Sequence, residues 1–414
     1  MKLIKTSFYT SISTAVTFIS GFVVTKVVAV KIGPAGISYV GQYQNVIAIM
    51  AMFSTLAVTT GVIKYLAEHK EDNLQKKRII STAFIIILTS SCIISLSVIL
   101  FSRFFSIIVF KSNDFSNVFF LYGFFIGIMA LNSLIAAVYN GLKEIKYLTV
   151  VNIAGSLTGI IFTLLFAYKM GVKGVLIANN FTALVIFLIN LVILYKKKYF
   201  DVKPEFLQWE SSSAKLLLGF TLMGIVSGLL MPLSQIFIRN RIMNIFSANE
   251  AGWWQAVTRI SDYYLAFVTT VLSVYYLPRL SEINNKKELK QEIKNGYKIV
   301  LPIVGFMALS IWIFKVLIVH ILFSKDFLPM TPLFTFQLLG DFFKIGSYLL
   351  AYILIAKADI KLFIVSEVLF SLSLVFFSYL FIGKFGVIGS TYAFCVNYAL
   401  YWVAMFFITK KYLY

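Results

Sequence analysis

Repeated apolar runs of about 20 residues dominate this chain, and each is long enough to cross a bilayer as a helix. Hydrophobic residues make up 60% of the sequence and the mean hydropathy is +0.88, which exceeds what a soluble domain carries. The period-two alternation of a membrane β-barrel is absent. We therefore predict an all-α integral membrane protein with twelve transmembrane helices, at residues 8–30, 38–66, 79–101, 116–140, 147–168, 174–195, 214–240, 253–277, 298–322, 329–356, 361–382 and 386–409.

The distribution of basic residues predicts the orientation of these helices. With the N-terminus in the cytoplasm, 23 Lys and Arg residues fall on cytoplasmic segments and nine on the opposite side, which follows the positive-inside rule. Both termini are therefore predicted to be cytoplasmic. The same rule accounts for most of the net charge of +20, so we predict no nucleic-acid partner. Cys92 and Cys395 each lie within an apolar run, which predicts neither a disulfide nor a metal site.

The two halves of the sequence resemble each other. GLKEIKYLTVVNIAGSL (141–157) aligns with AKADIKLFIVSEVLFSL (356–372) at an offset of 215, and the same offset places GVKG (171–174) over GVIG (386–389). Six spans in each repeat give both halves the same orientation, which is a transporter architecture. We predict two parallel six-helix lobes, residues 1–200 and 201–414, around a central cavity.

Charged side chains inside the predicted spans indicate where helices face protein or water, because an ionised side chain facing lipid costs at least ~2.5 kcal/mol. Most of these charges are basic, and a basic cavity concentrates anions such as phosphate or pyrophosphate. The candidate anion-binding residues are Lys26, Arg239, Arg241, Arg259 and Lys344. The acids, which are candidates for ion coupling or gating, are Asp262, Asp341 and Glu367. Two further basic residues are predicted at the cytoplasmic mouth of the cavity, Lys64 and Arg279.

Two of these charge pairs also have a structural interpretation. Arg259 and Asp262 are spaced i,i+3 on one predicted helix, and Asp341 and Lys344 have the same spacing on another. Side chains at this spacing are neighbours on a helix surface and form ion pairs that stabilise a bundle. Structural and functional roles both stay open for these four residues.

Four of the other basic residues have an alternative explanation in membrane topology. Arg239 and Arg241 lie near a predicted membrane surface, where long side chains reach the interface while their stems stay in lipid. Lys64 and Arg279 fall within the belt of positive charge expected on the cytoplasmic side.

Five segments spread over the whole chain match a known family: VVTKVVAVKIGPAG (23–36), GVIKYLAEH (61–69), FTLMGIVSGLLMPLSQIFIRN (220–240), SDYYLAFVTTVLSVYYLPRLS (261–281) and LLGDFFKIGSYLLAYILIAKADIKLFIVSEV (338–368). On these segments the sequence resembles the Wzx-type polysaccharide translocases, which include the O-antigen flippases and the lipid III flippases of enterobacterial common antigen. This family belongs to the multidrug/oligosaccharidyl-lipid/polysaccharide (MOP) exporter superfamily.

The resemblance implies a V-shaped MATE-like bundle that flips an undecaprenyl-pyrophosphate-linked oligosaccharide across the bacterial inner membrane by alternating access. The five candidate anion-binding residues would then hold the pyrophosphate. The residues expected to contact the sugar or line the cavity are Gln42, Asn45, Gln255, Gln337, Tyr348 and Tyr352. No cofactor is expected, and a proton or sodium gradient is a candidate energy source. Membrane lipid, a polysaccharide polymerase and a chain-length regulator are the expected partners.

Two other classes of membrane protein are alternatives to a flippase. A membrane glycosyltransferase, polymerase or ligase would handle the same lipid, but the chain has no long outside loop and no nucleotide or metal motif for such an enzyme. A cation-coupled multidrug exporter shares the fold, but it would require a net acidic cavity instead of a basic one. We therefore predict a transporter and not an enzyme.

Overall fold

The computed structural model describes residues 2–69, 71–197, 209–219 and 221–414, and these residues form helices and no strand. The helices before residue 220 are α1 (Lys2–Ile32), α2 (Pro34–Thr55), α3 (Val58–Glu68), α4 (Asn73–Leu100), α5 (Ser102–Phe110), α6 (Ser116–Gly141), α7 (Ile145–Lys197) and α8 (Ser211–Leu218). Those after it are α9 (Thr221–Ile245), α10 (Ala248–Val271), α11 (Leu277–Glu282), α12 (Lys286–Ile313), α13 (Lys315–Leu322), α14 (Leu333–Ala356), α15 (Ile360–Phe385) and α16 (Ile388–Leu413). The predicted all-α class is confirmed.

Eight of the described helices are long and apolar enough to cross a membrane, and a ninth span arises if the bent pair α2–α3 is counted as one. One of the eight, α7, contains the two predicted spans 147–168 and 174–195 on either side of Gly171. The other two predicted spans correspond to α9 and α10, which carry charged side chains. The protein is thus a multi-pass membrane protein, and the number of twelve spans stays a prediction.

The chain divides into two compact units. Unit 1 consists of Met1–Ile32 and Gln42–Pro232, and unit 2 consists of Gly33–Gly41 and Leu233–Tyr414. The predicted lobe boundary between residues 200 and 201 falls outside the described residues, so a division at that position stays a prediction. Within the described residues, α8 belongs to unit 1 and the first turns of α2 belong to unit 2.

An acid in front of α8 anchors this short helix in unit 1. Glu210 pairs with Arg78 of α4 at 3.1 Å, and its backbone N–H donates to the Thr82 hydroxyl at 3.3 Å. Ala214 and Leu217 are buried against the aliphatic core formed by α3, α4 and α6. A charge-assisted contact and an apolar face therefore hold α8 against the other helices of unit 1.

The repeated GLKEIK and AKADIK segments form the same helix ending in both halves. Lys143 and Ala358 occupy equivalent positions and both adopt the left-handed conformation, with φ of 60° and 55°. One residue later, the backbone N–H of Glu144 and of Asp359 each reaches back five residues to a carbonyl, at 2.8 Å in both halves. This pattern closes a helix and turns the chain into the next one, so the repeat is one of structure as well as sequence.

The repeated GVKG and GVIG segments build a second shared turn. Gly171 and Gly386 have φ of 58° and 73°, a conformation that only glycine adopts readily. Three residues on, a Cβ at Gly174 or Gly389 would collide with the carbonyl oxygen of Phe166 or Phe381, respectively. Each motif therefore combines one glycine for the turn with a second for close packing of the chain after the turn.

The second helix of each half is irregular, which the sequence did not predict. In unit 1, Leu56 and Ala57 have positive φ values of 47° and 53°, and α2 and α3 meet there at 52°. In this part of the repeat an offset of 216 aligns PAGIS (34–38) with EAGWW (250–254). At the position that this offset assigns to Leu56, a π-helical segment, Leu272–Tyr276, follows α10. Both irregularities lie within predicted spans, 38–66 and 253–277. Neither Leu56 nor Ala57 is a Gly or Pro, whereas Pro278 follows the π-helical segment and has no N–H to donate back into it. Span 298–322 is likewise divided, at Phe314.

Candidate functional site

A buried polar stripe runs along α14 in unit 2. Gln337, Asp341 and Lys344 are at most 8% exposed. The Tyr264 hydroxyl of α10 donates to Asp341 Oδ2 at 2.8 Å, and Gln337 Nε2 donates to Asp341 Oδ1 at 3.4 Å. The polar residues of α14 thus form one buried stripe, as their helical spacing predicted. Hydrogen bonds to both oxygens satisfy the Asp341 carboxylate in place of water.

Three aromatic rings surround the Lys344 ammonium, and we call Tyr348, Phe394 and Tyr398 the Lys344 cage. Nζ lies 5.8 Å from the centroids of Tyr348 and Phe394 and 5.5 Å from that of Tyr398. Each distance is within the range of a cation–π interaction. Lys344 also interacts electrostatically with Asp262 and Asp341. Its side chain therefore points into the helices of unit 2 and is held by faces of α14 and α16.

Arg259 and Asp262 lie one turn apart on α10 and differ from the α14 stripe in exposure. Arg259 is partly buried and Asp262 is exposed. Asp262 interacts electrostatically with Lys344 and Arg259. Arg259 and Asp262, the i,i+3 neighbours predicted from the sequence, thus lie on the accessible side of a polar region. Asp341 and Lys344 form the buried side of the same region.

Arg239 is fully buried, which is unusual for a residue near the end of a helix. It is 0% exposed, and its Nη2 donates to the Gln255 side-chain oxygen. Its guanidinium lies 5.5 Å from the Trp254 ring. Gln255 itself packs against Gly41, where a Cβ would lie 2.6 Å from the amide carbon. Protein therefore encloses the Arg239 guanidinium, whereas the topological alternative predicted a side chain that extends outward to the membrane surface.

Arg241 lies in a different environment although it is only two residues away. Its guanidinium stacks on the Tyr379 ring at 3.7 Å, and one of its nitrogens lies beside Gly383 of α15. Residues two apart point to different sides of a helix. The structure therefore does not bring Arg239 and Arg241 together, and the candidate pair consists of two separate contacts.

The other candidate residues of α14 and α15 bond to side chains that the sequence did not single out. Glu367 accepts a hydrogen bond from the Tyr401 hydroxyl at 2.7 Å. The Tyr352 and Ser273 hydroxyls are 2.7 Å apart, which connects α14 to the π-helical segment. Both contacts join different helices of unit 2, so these polar groups contribute to packing of the bundle.

The two residues predicted at the cytoplasmic mouth are both paired with acids. Arg279 contacts Glu282, Glu288 and Glu292 at 3.7, 3.0 and 3.9 Å. Lys64 pairs with Glu68 at 3.6 Å. Arg279 therefore links α11 to α12, and three carboxylates already balance its charge.

Besides Lys64, three candidate residues belong to unit 1. Lys26 is partly buried on α1, and Asn45 is partly buried on α2. Gln42 is 0% exposed and donates to the Val109 carbonyl at 3.4 Å. The Gln42 side chain therefore points toward α5, inside unit 1.

At the repeat position of Arg259, unit 1 has Tyr43, which is 2% exposed. Its ring packs on those of Phe119 and Tyr122 at 5.7 and 6.0 Å. An aromatic core in unit 1 thus occupies the place of the charged region in unit 2. In the part of the chain that the structure describes, no group of three His, Cys, Asp or Glu residues could hold a metal ion.

The fold and the polar helices define an all-α, multi-pass membrane protein. A solved structure described as the inward-facing conformation of a multidrug resistance MATE family transporter of the MOP superfamily has the same fold, with a TM-score of 0.80. The two sequences are 15% identical, and the match covers 96% of this chain and 94% of the other.

The particular family is shown by the sequence. The family model described as polysaccharide biosynthesis protein matches residues 3–284, so the chain belongs to that family. It is 29% identical over 402 residues to a protein of Escherichia coli K12 named lipid III flippase, covering 97% of this chain and 96% of that protein. It is also 24% identical over 370 residues to a putative O-antigen transporter of Shigella flexneri, covering 82% and 86% of the two chains.

Proposed function

We propose that this protein flips an undecaprenyl-pyrophosphate-linked oligosaccharide from the cytoplasmic to the periplasmic leaflet of the bacterial inner membrane. The observation that carries the proposal is the full-length match to a relative named lipid III flippase, within the polysaccharide biosynthesis protein family. The resemblance of the second relative, a putative O-antigen transporter, supports the same substrate class. The sugar sequence of the glycan is not part of the proposal.

In unit 2, the residue best suited to contact the pyrophosphate is Arg259. Its accessible position on α10 supports this role, since a guanidinium forms bidentate hydrogen bonds with phosphate oxygens. Arg239 is proposed to position Gln255, because it donates a hydrogen bond to the Gln255 side-chain oxygen. Lys344 and Arg241 are held by aromatic rings, so we now assign them to the architecture of unit 2.

In unit 1, Lys26 is the proposed contact to the pyrophosphate, because it is a partly exposed ammonium within a predicted span. Asn45 is a proposed contact to the sugar for the same reason of exposure. Gln42, whose side chain bonds to the Val109 carbonyl, is proposed to support α2 instead.

The membrane potential is the proposed driving force. A pyrophosphate diester carries about two negative charges, and their outward movement gains ~4.6 kcal/mol per 100 mV of inside-negative potential. Asp341 and Glu367 already accept hydrogen bonds from tyrosines. Asp262 is exposed, so it is the acid best placed to exchange a proton or sodium ion with water if coupling occurs.

The proposed setting follows from the function. Both termini lie in the cytoplasm, and the periplasmic product is passed to a polysaccharide polymerase whose output a chain-length regulator controls. The protein itself forms or breaks no covalent bond in this scheme.

Complementation tests the function and the site together. In a strain that lacks its own flippase, the wild-type gene should restore surface glycan. Arg259→Ala should lower the rate of restoration about 10- to 100-fold at normal protein level, because one charge-assisted contact is lost. Arg259→Lys should recover part of it. The matched control is Arg103→Ala, which removes an exposed arginine of α5.

Three results would contradict the proposal. Absence of glycan with wild-type protein present in the membrane would exclude the flippase function. Full activity of Arg259→Ala would leave the function intact and exclude the pyrophosphate contact. Resistance to cationic dyes without restored glycan would favour the alternative of a multidrug exporter.

A further inference from the structure

The Lys344 cage has the composition of an ammonium-binding site. Aromatic faces that surround a cation at about 6 Å are the usual means by which proteins bind alkylammonium groups. Here the three rings lie 5.5 to 5.8 Å from Nζ. Two of them, Phe394 and Tyr398, come from α16 and approach the lysine from a different helix.

The carboxylates near the cage add a favourable potential without direct coordination. Asp341 is one turn before Lys344 on α14, and Asp262 reaches it from α10. Both oxygens of Asp341 already accept hydrogen bonds, from Tyr264 and Gln337. The acids therefore stabilise a positive charge at Nζ through space.

This arrangement suits an organic cation better than a metal ion. Sodium and other hard cations require several oxygen ligands at short distance, whereas the cage offers ring faces. An ammonium group on an alkyl stem gains cation–π energy from the rings and dispersion energy along the stem.

We propose that unit 2 contains an alkylammonium-binding site that Lys344 occupies with its own side chain. Removal of that side chain beyond Cβ leaves a site for n-propylammonium, which replaces the lost carbons and the charge. Because the resident cation is tethered, the region around Asp341 stays neutralised at every stage of transport and needs no dissociable ion. Only this last consequence rests on the proposed function, since cation binding is measured without transport.

Chemical rescue of purified Lys344→Ala tests the proposal. The variant should unfold at a lower temperature than wild type, because a buried positive charge is lost beside Asp341. Addition of n-propylammonium should raise its Tm saturably, by roughly 2–4 °C at ten times the Kd. Wild type should not respond. Sodium, choline and 1-propanol at equal concentration and ionic strength should have no such effect on the variant.

Two further variants isolate the cage from general effects of charge. Lys315→Ala removes a partly exposed lysine that lies over a single ring, Trp312 at 4.7 Å, and should show no rescue. Phe394→Leu in the Lys344→Ala background should weaken n-propylammonium binding at least several-fold, because one face of the cage is gone.

Four results obtained on folded protein would overturn the proposal. They are no rescue of Lys344→Ala, equal rescue by sodium, equal rescue by 1-propanol, and an equal response of Lys315→Ala. If Lys344→Ala folds only when n-propylammonium is present during purification, that dependence supports the site. If it fails to fold even then, while Lys344→Met is as stable as wild type, the ammonium is not needed and the proposal is wrong.

Discussion

At the scale of single residues, the charges of unit 2 are held by specific partners. Tyr264 and Gln337 bond to Asp341, and the Lys344 cage encloses the neighbouring ammonium. A buried charge is costly unless hydrogen bonds or opposite charges compensate it. Asp341 and Lys344, the two charged residues of α14, therefore contribute to the bundle, whereas Arg259 is partly buried and Asp262 is exposed on α10.

The Asp359 carboxylate, outside the membrane-spanning segments, is also closely engaged. It accepts hydrogen bonds from Lys411 at 2.7 Å and Tyr412 at 2.6 Å, and it caps α15 through the Leu362 N–H. The hydrogen bonds from Lys411 and Tyr412 lower the pKa of Asp359 to about 2. The ionised form is therefore favoured in the folded protein.

We predict that this contact makes stability depend on pH in the acid range. Because the folded pKa lies below the ordinary value of 3.8, the stabilisation is complete above that value and is lost as pH falls toward about 2. Asp359→Asn should lower the Tm at about pH 7, and the difference from wild type should shrink between about pH 4 and pH 2. Glu71→Gln, at an exposed acid, is the control. A difference that stays constant over this range would contradict the prediction.

At the scale of helices, close packing of backbones joins the start of α2 to unit 2. The Ala35 N–H donates to Asn249 Oδ1 at 3.1 Å, and Gly252 of α10 lies directly against the Pro34 carbonyl. A side chain at residue 252 would occupy the position of that oxygen. The nine residues Gly33–Gly41 therefore pack with α10, although they precede it by more than 200 positions in sequence.

We predict that Gly252→Ala separates these two helices. The added methyl group meets backbone, which cannot rotate away, so the expected loss of stability is about 1–3 kcal/mol or more. Gly305→Ala is the matched control in α12, because the nearest atom to its Cβ is Phe342 Cε2 at an ordinary 3.8 Å. Thermal unfolding in detergent should show a lower Tm for the first variant only. Equal Tm values for both variants would rule out the tight contact.

At the scale of the whole molecule, the substrate's charge is the quantity that links transport to energy. The expected cargo moves about two negative charges outward. In the proposed site, the ammonium of Lys344 neutralises the buried acid Asp341, so that no external ion is required there. An electrogenic mechanism driven by the potential alone is consistent with both features.

We predict that flipping in proteoliposomes follows the membrane potential. Reversing a potassium diffusion potential of about 100 mV should reverse the direction of net transport, because ~4.6 kcal/mol changes sign. Gradients of pH or sodium alone should have no effect, and Asp262→Asn should keep the dependence on potential. Transport that responds to a pH or sodium gradient at zero potential, and loses this response in Asp262→Asn, would establish coupling instead.

The sequence by itself determined the class of fold, the repeat and the family. Apolar runs and basic loops are local properties of the sequence. The turns at Lys143 and Gly171 in the first half recur at Ala358 and Gly386 in the second half. The i,i+3 and i,i+4 stripe on α14 was likewise predictable, because helical periodicity fixes which neighbours share a face.

Only the tertiary structure decided which residues surround each charge. Helices in a membrane are apolar on all sides, so their sequences do not encode which face meets another helix and which meets lipid. Nothing local pairs Tyr264 with Asp341, places Phe394 over Lys344, or separates Arg239 from Arg241. Those contacts depend on the rotation of each helix about its axis, which is set by packing against residues far away in the chain.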